Sequence, residues 1–220
     1  MQVTEWYIIR SLTLPASWVS VIIALIVTWL ILWKFYGRAV EDWFSDSAIM
    51  FIVVWKLSVI LTDFKMVVEF PLSILYFNGG KIGVFLGLFA ALTKLYVSLR
   101  KRGFKEQDLK ALLFGFISLQ VIYQFLMVFL NDGLMWQKTI TIIFFGLFVI
   151  FASVRILRDD KTIQQISIVL LLVHIIVAML QPNGLFQTPL FVTLSVTLFI
   201  SLLLFQRKSQ SKMIRVEGKL

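Results

Sequence analysis

The stretch Ala111–Leu130, ALLFGFISLQVIYQFLMVFL, runs for twenty residues without a charged side chain. As a helix it would be about 30 Å long, the thickness of a bilayer's hydrocarbon core. With its flanks it reads as a span over 109–130, and similar runs recur on either side, at 17–34, 47–63, 82–99, 138–155, 164–181 and 189–206. The chain is 60% hydrophobic and only 15% charged, where a soluble domain carries about a quarter charged residues. So few polar side chains cannot cover a water-facing surface, and lipid is the expected solvent. The sequence therefore predicts an all-α integral membrane protein: seven transmembrane helices in one polytopic domain over 1–220, ending in a basic tail at 207–220. The first run has no basic segment before it and no convincing cleavage site after it, so it is expected to stay as a span.

Lysine and arginine placement sets the orientation. Lys34, Arg38, Arg100, Lys101, Arg102, Lys105, Lys110, Arg155, Arg158, Lys161, Arg207, Lys208, Lys212, Arg215 and Lys219 fall on one side. Only Arg10, Lys65, Lys81 and Lys138 fall on the other, while Lys56 and Lys94 lie within spans. The richer side is expected to be cytoplasmic, with the N-terminus outside and the C-terminus inside. An even number of spans would break the alternation. The net charge of +9 is thereby accounted for by cytoplasmic loops near anionic lipid, with no nucleic acid as a partner. The absence of cysteine and the single histidine, His174, exclude disulfides, thiolate chemistry and His-based metal clusters within one chain. No metal or other cofactor is expected.

Between the spans, Met1 to Pro15 suits an interfacial helix on the outer surface. Residues 39–46, AVEDWFSD, suit a short inner element anchored by Trp43 and Phe44, with Asp46 or Ser47 capping the second span. The outer segment 64–81, FKMVVEFPLSILYFNGGK, is too short to cross and too apolar for a plain loop. Pro71 and the Asn78-Gly79-Gly80 terminator frame a re-entrant or interfacial half-helix at about 66–78.

Polar residues at membrane depth are costly and mark either function or helix pairing. Lys56 lies near the middle of the second span. It reads as a cation for an anionic group such as a lipid phosphate, or as half of a structural pair with Asp63 or Glu69. Lys94, near the inner end of the third span, is expected to snorkel. Gln120, Tyr123, Gln124 and Asn131 form a polar stripe on the fourth span. The stripe is either a cavity wall or a set of interhelical hydrogen bonds. His174 is a proton carrier or a hydrogen-bonded structural histidine. Asn78, Gly79, Gly80 and Lys81 open the third span, where a helix N-terminus and a lysine would favour an anion, though such a turn is also a common helix start.

These features in this order resemble the prolipoprotein diacylglyceryl transferases of bacterial plasma membranes, over about residues 37–136. That family has seven spans in the same orientation. Where its second span carries Gly-Gly-Arg-Ile-Gly, this chain has Val53-Val54-Trp55-Lys56-Leu57-Ser58, with Lys56 in the place of the arginine. Pro71-Leu72 and Asn78-Gly79-Gly80-Lys81-Ile82-Gly83 follow the family's outer segment, with Asn78 in place of its histidine. Gln124 to Gly133 stands against the family signature and keeps Phe129 and Asn131. The resemblance implies binding of an anionic phospholipid such as phosphatidylglycerol near the outer leaflet. Because the motif arginine and histidine are replaced, it implies altered or absent transfer activity. Lipid-binding candidates are Lys56, Asn78, Gly79, Gly80, Lys81 and Asn131, and cavity candidates are Gln120, Tyr123, Gln124 and His174. A lipoprotein or membrane protein is the expected macromolecular partner. The other readings are a non-catalytic membrane subunit or assembly factor, and a small transporter, disfavoured by the lack of inverted repeats.

The cysteine-free chain gives a direct test of orientation. Asp132→Cys should react with a membrane-impermeant maleimide on intact cells, and Lys101→Cys only after permeabilisation. The reverse labelling pattern would overturn the assignment.

Overall fold

The structure is a computed structural model that describes residues 3–9, 12–155 and 160–217. Arg10, Arg158 and the side chains of Lys161, Lys212, Arg215 and Lys219 lie outside the described residues. A short hairpin, β1 (Trp6–Ile9) and β2 (Leu12–Pro15), leads into α1 (Ala16–Tyr36). Then follow α2 (Arg38–Leu57), α3 (Val59–Thr62), α4 (Phe64–Glu69), α5 (Ser73–Tyr76) and α6 (Gly80–Lys101). The chain continues with α7 (Glu106–Leu130), α8 (Met135–Arg155), α9 (Asp160–Met179) and α10 (Thr188–Glu217). Among the described residues, seven helices are long and apolar enough to span a membrane: Ala16–Tyr36, Arg38–Thr62, Gly80–Lys101, Glu106–Leu130, Met135–Arg155, Thr162–Met179 and Thr188–Ser209. They are the seven expected from hydropathy, and the protein is an all-α multi-pass membrane protein.

The most buried span is α7. Within it 56% of positions are enclosed, against 17% for Arg38–Thr62. It is the post around which α1, α8 and α9 stand. The broadest helix–helix contact lies elsewhere, between α2 and α6. Gly79, Gly83 and Gly87 recur every fourth residue along one face of α6. A Cβ on Gly79 or Gly83 would overlap the Ser58 hydroxyl, and one on Gly87 would lie 2.8 Å from the Phe51 carbonyl oxygen. Hydrocarbon gives helices no hydrophobic reason to associate, so close approach at small residues supplies the attraction.

The joint between α1 and α2 is a single residue. Gly37 takes φ 79°, a value that favours glycine, and its N–H donates to the Trp33 carbonyl at 3.1 Å. This overturns the expected inner element at 39–46. With no breaker after Gly37, those residues join α2, Trp43 is buried as a core side chain, and the helix starts well before Asp46 and Ser47. Ser47 instead donates to the Trp43 carbonyl at 2.8 Å, and Asp46 pairs with Lys94 at 2.9 Å. Lys94 thus has a fixed partner.

The expected N-terminal interfacial helix is also corrected, since Trp6–Ile9 and Leu12–Pro15 pair as antiparallel strands, with Trp6 opposite Pro15 and Ile9 opposite Leu12. Trp-Tyr-Ile-Ile favours a pleated strand, and Pro15 stops pairing where α1 begins. The hairpin is tied to the end of α7. Asn131 Oδ1 accepts from the Thr4 N–H at 2.9 Å, and the Tyr7 hydroxyl donates to the Leu130 carbonyl at 3.2 Å.

The half-helix expected at 66–78 is present as two short pieces, α4 and α5, broken at Phe70 and Pro71. No residue of α4 is buried, and Phe64, Val68, Phe70 and Leu72 all project outward. Uncovered apolar backbone of this kind suits the membrane interface rather than a re-entrant position.

At the basic end, Arg102 grips the buried Asp108 carboxylate through Nε at 3.0 Å and Nη2 at 3.1 Å. That hydrogen bond raises the guanidinium's pKa further above its ordinary value. Arg207 of α10 reaches Glu106 of α7 at 3.2 Å and ties the last helix to the centre.

Gly83→Ile should separate α2 from α6 and destabilise the protein by about 1–3 kcal/mol or more. Thermal unfolding in mild detergent measures this, and Gly146→Ile, where a Cβ meets nothing within 4 Å, serves as the control.

Candidate functional site

α1, α2, α6, α7 and α10 line a partly open cavity of about 480 Å³, within the usual range for small-molecule sites. Its wall is mainly apolar. Val21, Ala24, Leu25, Phe51, Val84, Leu88 and Phe116 line its length, and Leu32, Trp43, Leu95 and Ala111 lie at the end nearer the basic loops. Polar side chains gather at the opposite end: Asn78, Lys81, Tyr123, Asn183 and Gln187, with Gln120 one turn deeper than Tyr123. Two lining tryptophans, Trp43 and Trp55, have buried indole N–H groups with no acceptor among the described residues. An unmade hydrogen bond in a dry site costs about 1–3 kcal/mol.

The sequence candidates divide into three groups. Asn78 and Lys81 are in the cavity wall together with Gly80. Asn78 also starts α6, its Oδ1 accepting from the Gly80 N–H at 2.8 Å, which is helix-start chemistry. Gly79 serves the α2–α6 seam, as its missing Cβ shows.

Lys56 and Asn131 lie apart from this wall. Lys56 Nζ donates to the Leu75 carbonyl at 2.8 Å and sits 5.9 Å from the centre of the Trp18 ring. It fastens α5 to the second span. Neither Asp63 nor Glu69 is its partner, since Thr62 donates to Asp63 and Lys65 lies 3.9 Å from Glu69. Asn131 is occupied on both sides, by the Thr4 N–H and by its own donation to the Met127 carbonyl at 3.0 Å.

Gln120, Gln124 and His174 are brought together, and all three are buried. Gln124 Nε2 lies 3.0 Å from His174 Nε2, and Gln120 Nε2 lies 3.3 Å from Nδ1. Thr193 of α10 places its hydroxyl 2.8 Å from Nδ1 and donates to the Pro189 carbonyl at 3.1 Å. Both glutamine Nε2 groups are donors, so the direction of each bond at the ring follows from which ring nitrogen carries the proton. Phe145 packs edge-on to the ring at 5.6 Å. The cluster bonds α7, α9 and α10 together. Gln120 and Tyr123 touch the cavity, while Gln124 and His174 stand behind its wall.

A second polar layer lies nearer the outer end. Gln137 donates to the Leu180 carbonyl at 2.9 Å, Gln181 to the Thr141 hydroxyl at 3.2 Å, and Gln187 to the Gly184 carbonyl at 2.9 Å. Thr193, Gln187 and Trp55 were not singled out from the sequence as site residues, and Trp43 was read only as an anchor. The four-residue glycine spacing was a visible signal for the α2–α6 seam. No local pattern marks Thr193, whose role depends on which helix faces α9. The chain matches no family model, no curated protein and no solved structure.

His174→Ala should leave Gln120, Gln124 and Thr193 buried without their shared partner. The expected loss is about 1–3 kcal/mol of stability, read as a lower melting temperature in detergent. His174→Gln, which can both donate and accept, should recover part of it.

Proposed function

We propose that this protein binds an anionic phospholipid, of the phosphatidylglycerol type, with its head at the outer end of the cavity. It is a divergent relative of the prolipoprotein diacylglyceryl transferases in a bacterial plasma membrane. The observation that carries the proposal is the distribution of polarity in the cavity. A long apolar interior leads to a mouth where Asn78, Lys81, Tyr123, Asn183 and Gln187 converge. An amphiphile has that same distribution. Lys81 supplies a point charge suited to phosphate, without the bidentate fork of an arginine. The charge asymmetry of the loops supports an outer-leaflet position for this mouth.

The reading favours binding over transfer. Lys56, which aligns with the family's arginine, is held by the Leu75 carbonyl. Asn131 is held by the N-terminal hairpin. Both are engaged in holding the fold together, which fits altered or absent transfer activity.

Lys81→Ala should weaken retention of phosphatidylglycerol about fivefold, the value of roughly 1 kcal/mol per basic residue near anionic lipid. Retention of phosphatidylcholine should be unchanged. Lys56→Ala should loosen the outer segment and alter lipid retention less. Native mass spectrometry of protein released from nanodiscs measures all three, and equal retention of both lipids by wild type and Lys81→Ala would sink the proposal.

A further inference from the structure

At its outer end the cavity wall takes in the N-terminal segment. Val3 lines it, with Ser17 and Trp18 of α1 and Tyr123 and Met127 of α7. The residues after Val3 run across the outer ends of these two helices. Thr4 donates its N–H to Asn131 Oδ1 at 2.9 Å, and its hydroxyl oxygen accepts the Asp132 N–H at 2.7 Å. The Glu5 carbonyl accepts the N–H of Ala16, the first residue of α1, at 3.1 Å. Further along, the Tyr7 hydroxyl donates to the Leu130 carbonyl at 3.2 Å. Among the described residues, the bonds from this segment to α7 and its end all fall on Leu130, Asn131 and Asp132.

These ties are shallow. Thr4 and Asp132 are exposed, and so are Trp6, Tyr7 and Ile8. A segment held by exposed hydrogen bonds and few buried side chains opens locally, at much lower cost than the body of a fold. Interfacial water can take over each broken bond. β1 and β2 pair with each other, so the segment keeps its shape when its bonds to α7 break. Its covalent joint to α1 is at Pro15 and Ala16, which gives it a place to turn.

Resting on the lipid-binding reading above, we infer that residues 3–5 and the strand pair are a strap across the outer mouth of the cavity, latched through Thr4 to Asn131 and Asp132, and that release of this latch sets how fast lipid enters and leaves. The exposed Trp6 suits the headgroup region and keeps the released strap at the membrane surface. The role of Asn131 follows: it is a latch on the site's entrance, as well as the end of α7.

The chain has no cysteine, so an introduced pair can be bridged without competition. The test uses the full chain in mild detergent with phosphatidylglycerol retained, then given an excess of deuterated phosphatidylglycerol. Native mass spectrometry follows replacement of light lipid by heavy. In Thr4→Cys/Asp132→Cys, a disulfide, or a short bis-maleimide where oxidation forms none, should all but stop the replacement, and Thr4→Cys alone should not respond to either reagent. Thr4→Val, which loses the acceptor for the Asp132 N–H, should exchange about two- to tenfold faster than wild type. A bridged protein that exchanges as fast as its unbridged form overturns the inference and leaves lipid binding intact. Where neither bridge forms, Thr4→Val decides, and a rate equal to wild type overturns the inference. No lipid retained by wild type overturns the binding reading and the strap with it.

Discussion

The backbones of α2 and α6 come close enough that a methyl group would not fit between them at Gly79, Gly83 or Gly87. Much of the remaining architecture follows from this. In water, burial of apolar faces would hold two such helices together. In lipid that force vanishes, and close packing takes its place. The seam fixes the second and third spans as one slab, with Lys94–Asp46 clamping its inner part and Lys56 fastening α5 at its outer end. Gly37 joins α1 to the slab through a single residue, and Trp29 bonds to Glu41 across that joint at 2.7 Å.

The other half of the bundle is held by different chemistry. Around α9 the apolar packing of Ile166, Leu170 and Val177 is joined by polar contacts. His174 serves Gln124, Gln120 and Thr193, while Gln137 and Gln181 form a further layer. An amide at membrane depth has no water to fall back on, so each such group needs a protein partner. The cavity runs where the glycine-packed slab meets the hydrogen-bonded half. The slab contributes Phe51, Val84 and Leu88 to the apolar wall, and α7 contributes Phe116, Gln120 and Tyr123.

The spans were legible because hydropathy over some twenty residues is a strong signal that needs no knowledge of neighbours. The single-residue joint at Gly37 was not, because nothing local separates a break from a tight turn between two helices. The strand pair of Trp6–Ile9 and Leu12–Pro15 was misread for a related reason. Trp6 to Ile9 is equally apolar as strand or interfacial helix, and pairing with Leu12–Pro15 decided it. For the site, polarity at depth correctly marked Gln120, Gln124 and His174 as residues that need partners. It did not distinguish a residue that lines a cavity from one that ties the fold. Lys56 and Asn131 were equally conspicuous in the sequence, and both bond to backbone groups brought near only by tertiary structure.

The two walls of the cavity differ in stiffness. On one side α2 and α6 meet at glycines, so closely that a Cβ on Gly87 would lie 2.8 Å from the Phe51 carbonyl oxygen. On the other, α6 faces α10 through side chains, with the Phe85 and Phe191 rings edge to face at 6.3 Å. Rings swing where backbones cannot. The α10 side of the cavity therefore has rotamer freedom that the glycine-packed α2–α6 seam lacks, while the Arg207–Glu106 pair holds the basic end of α10 to α7.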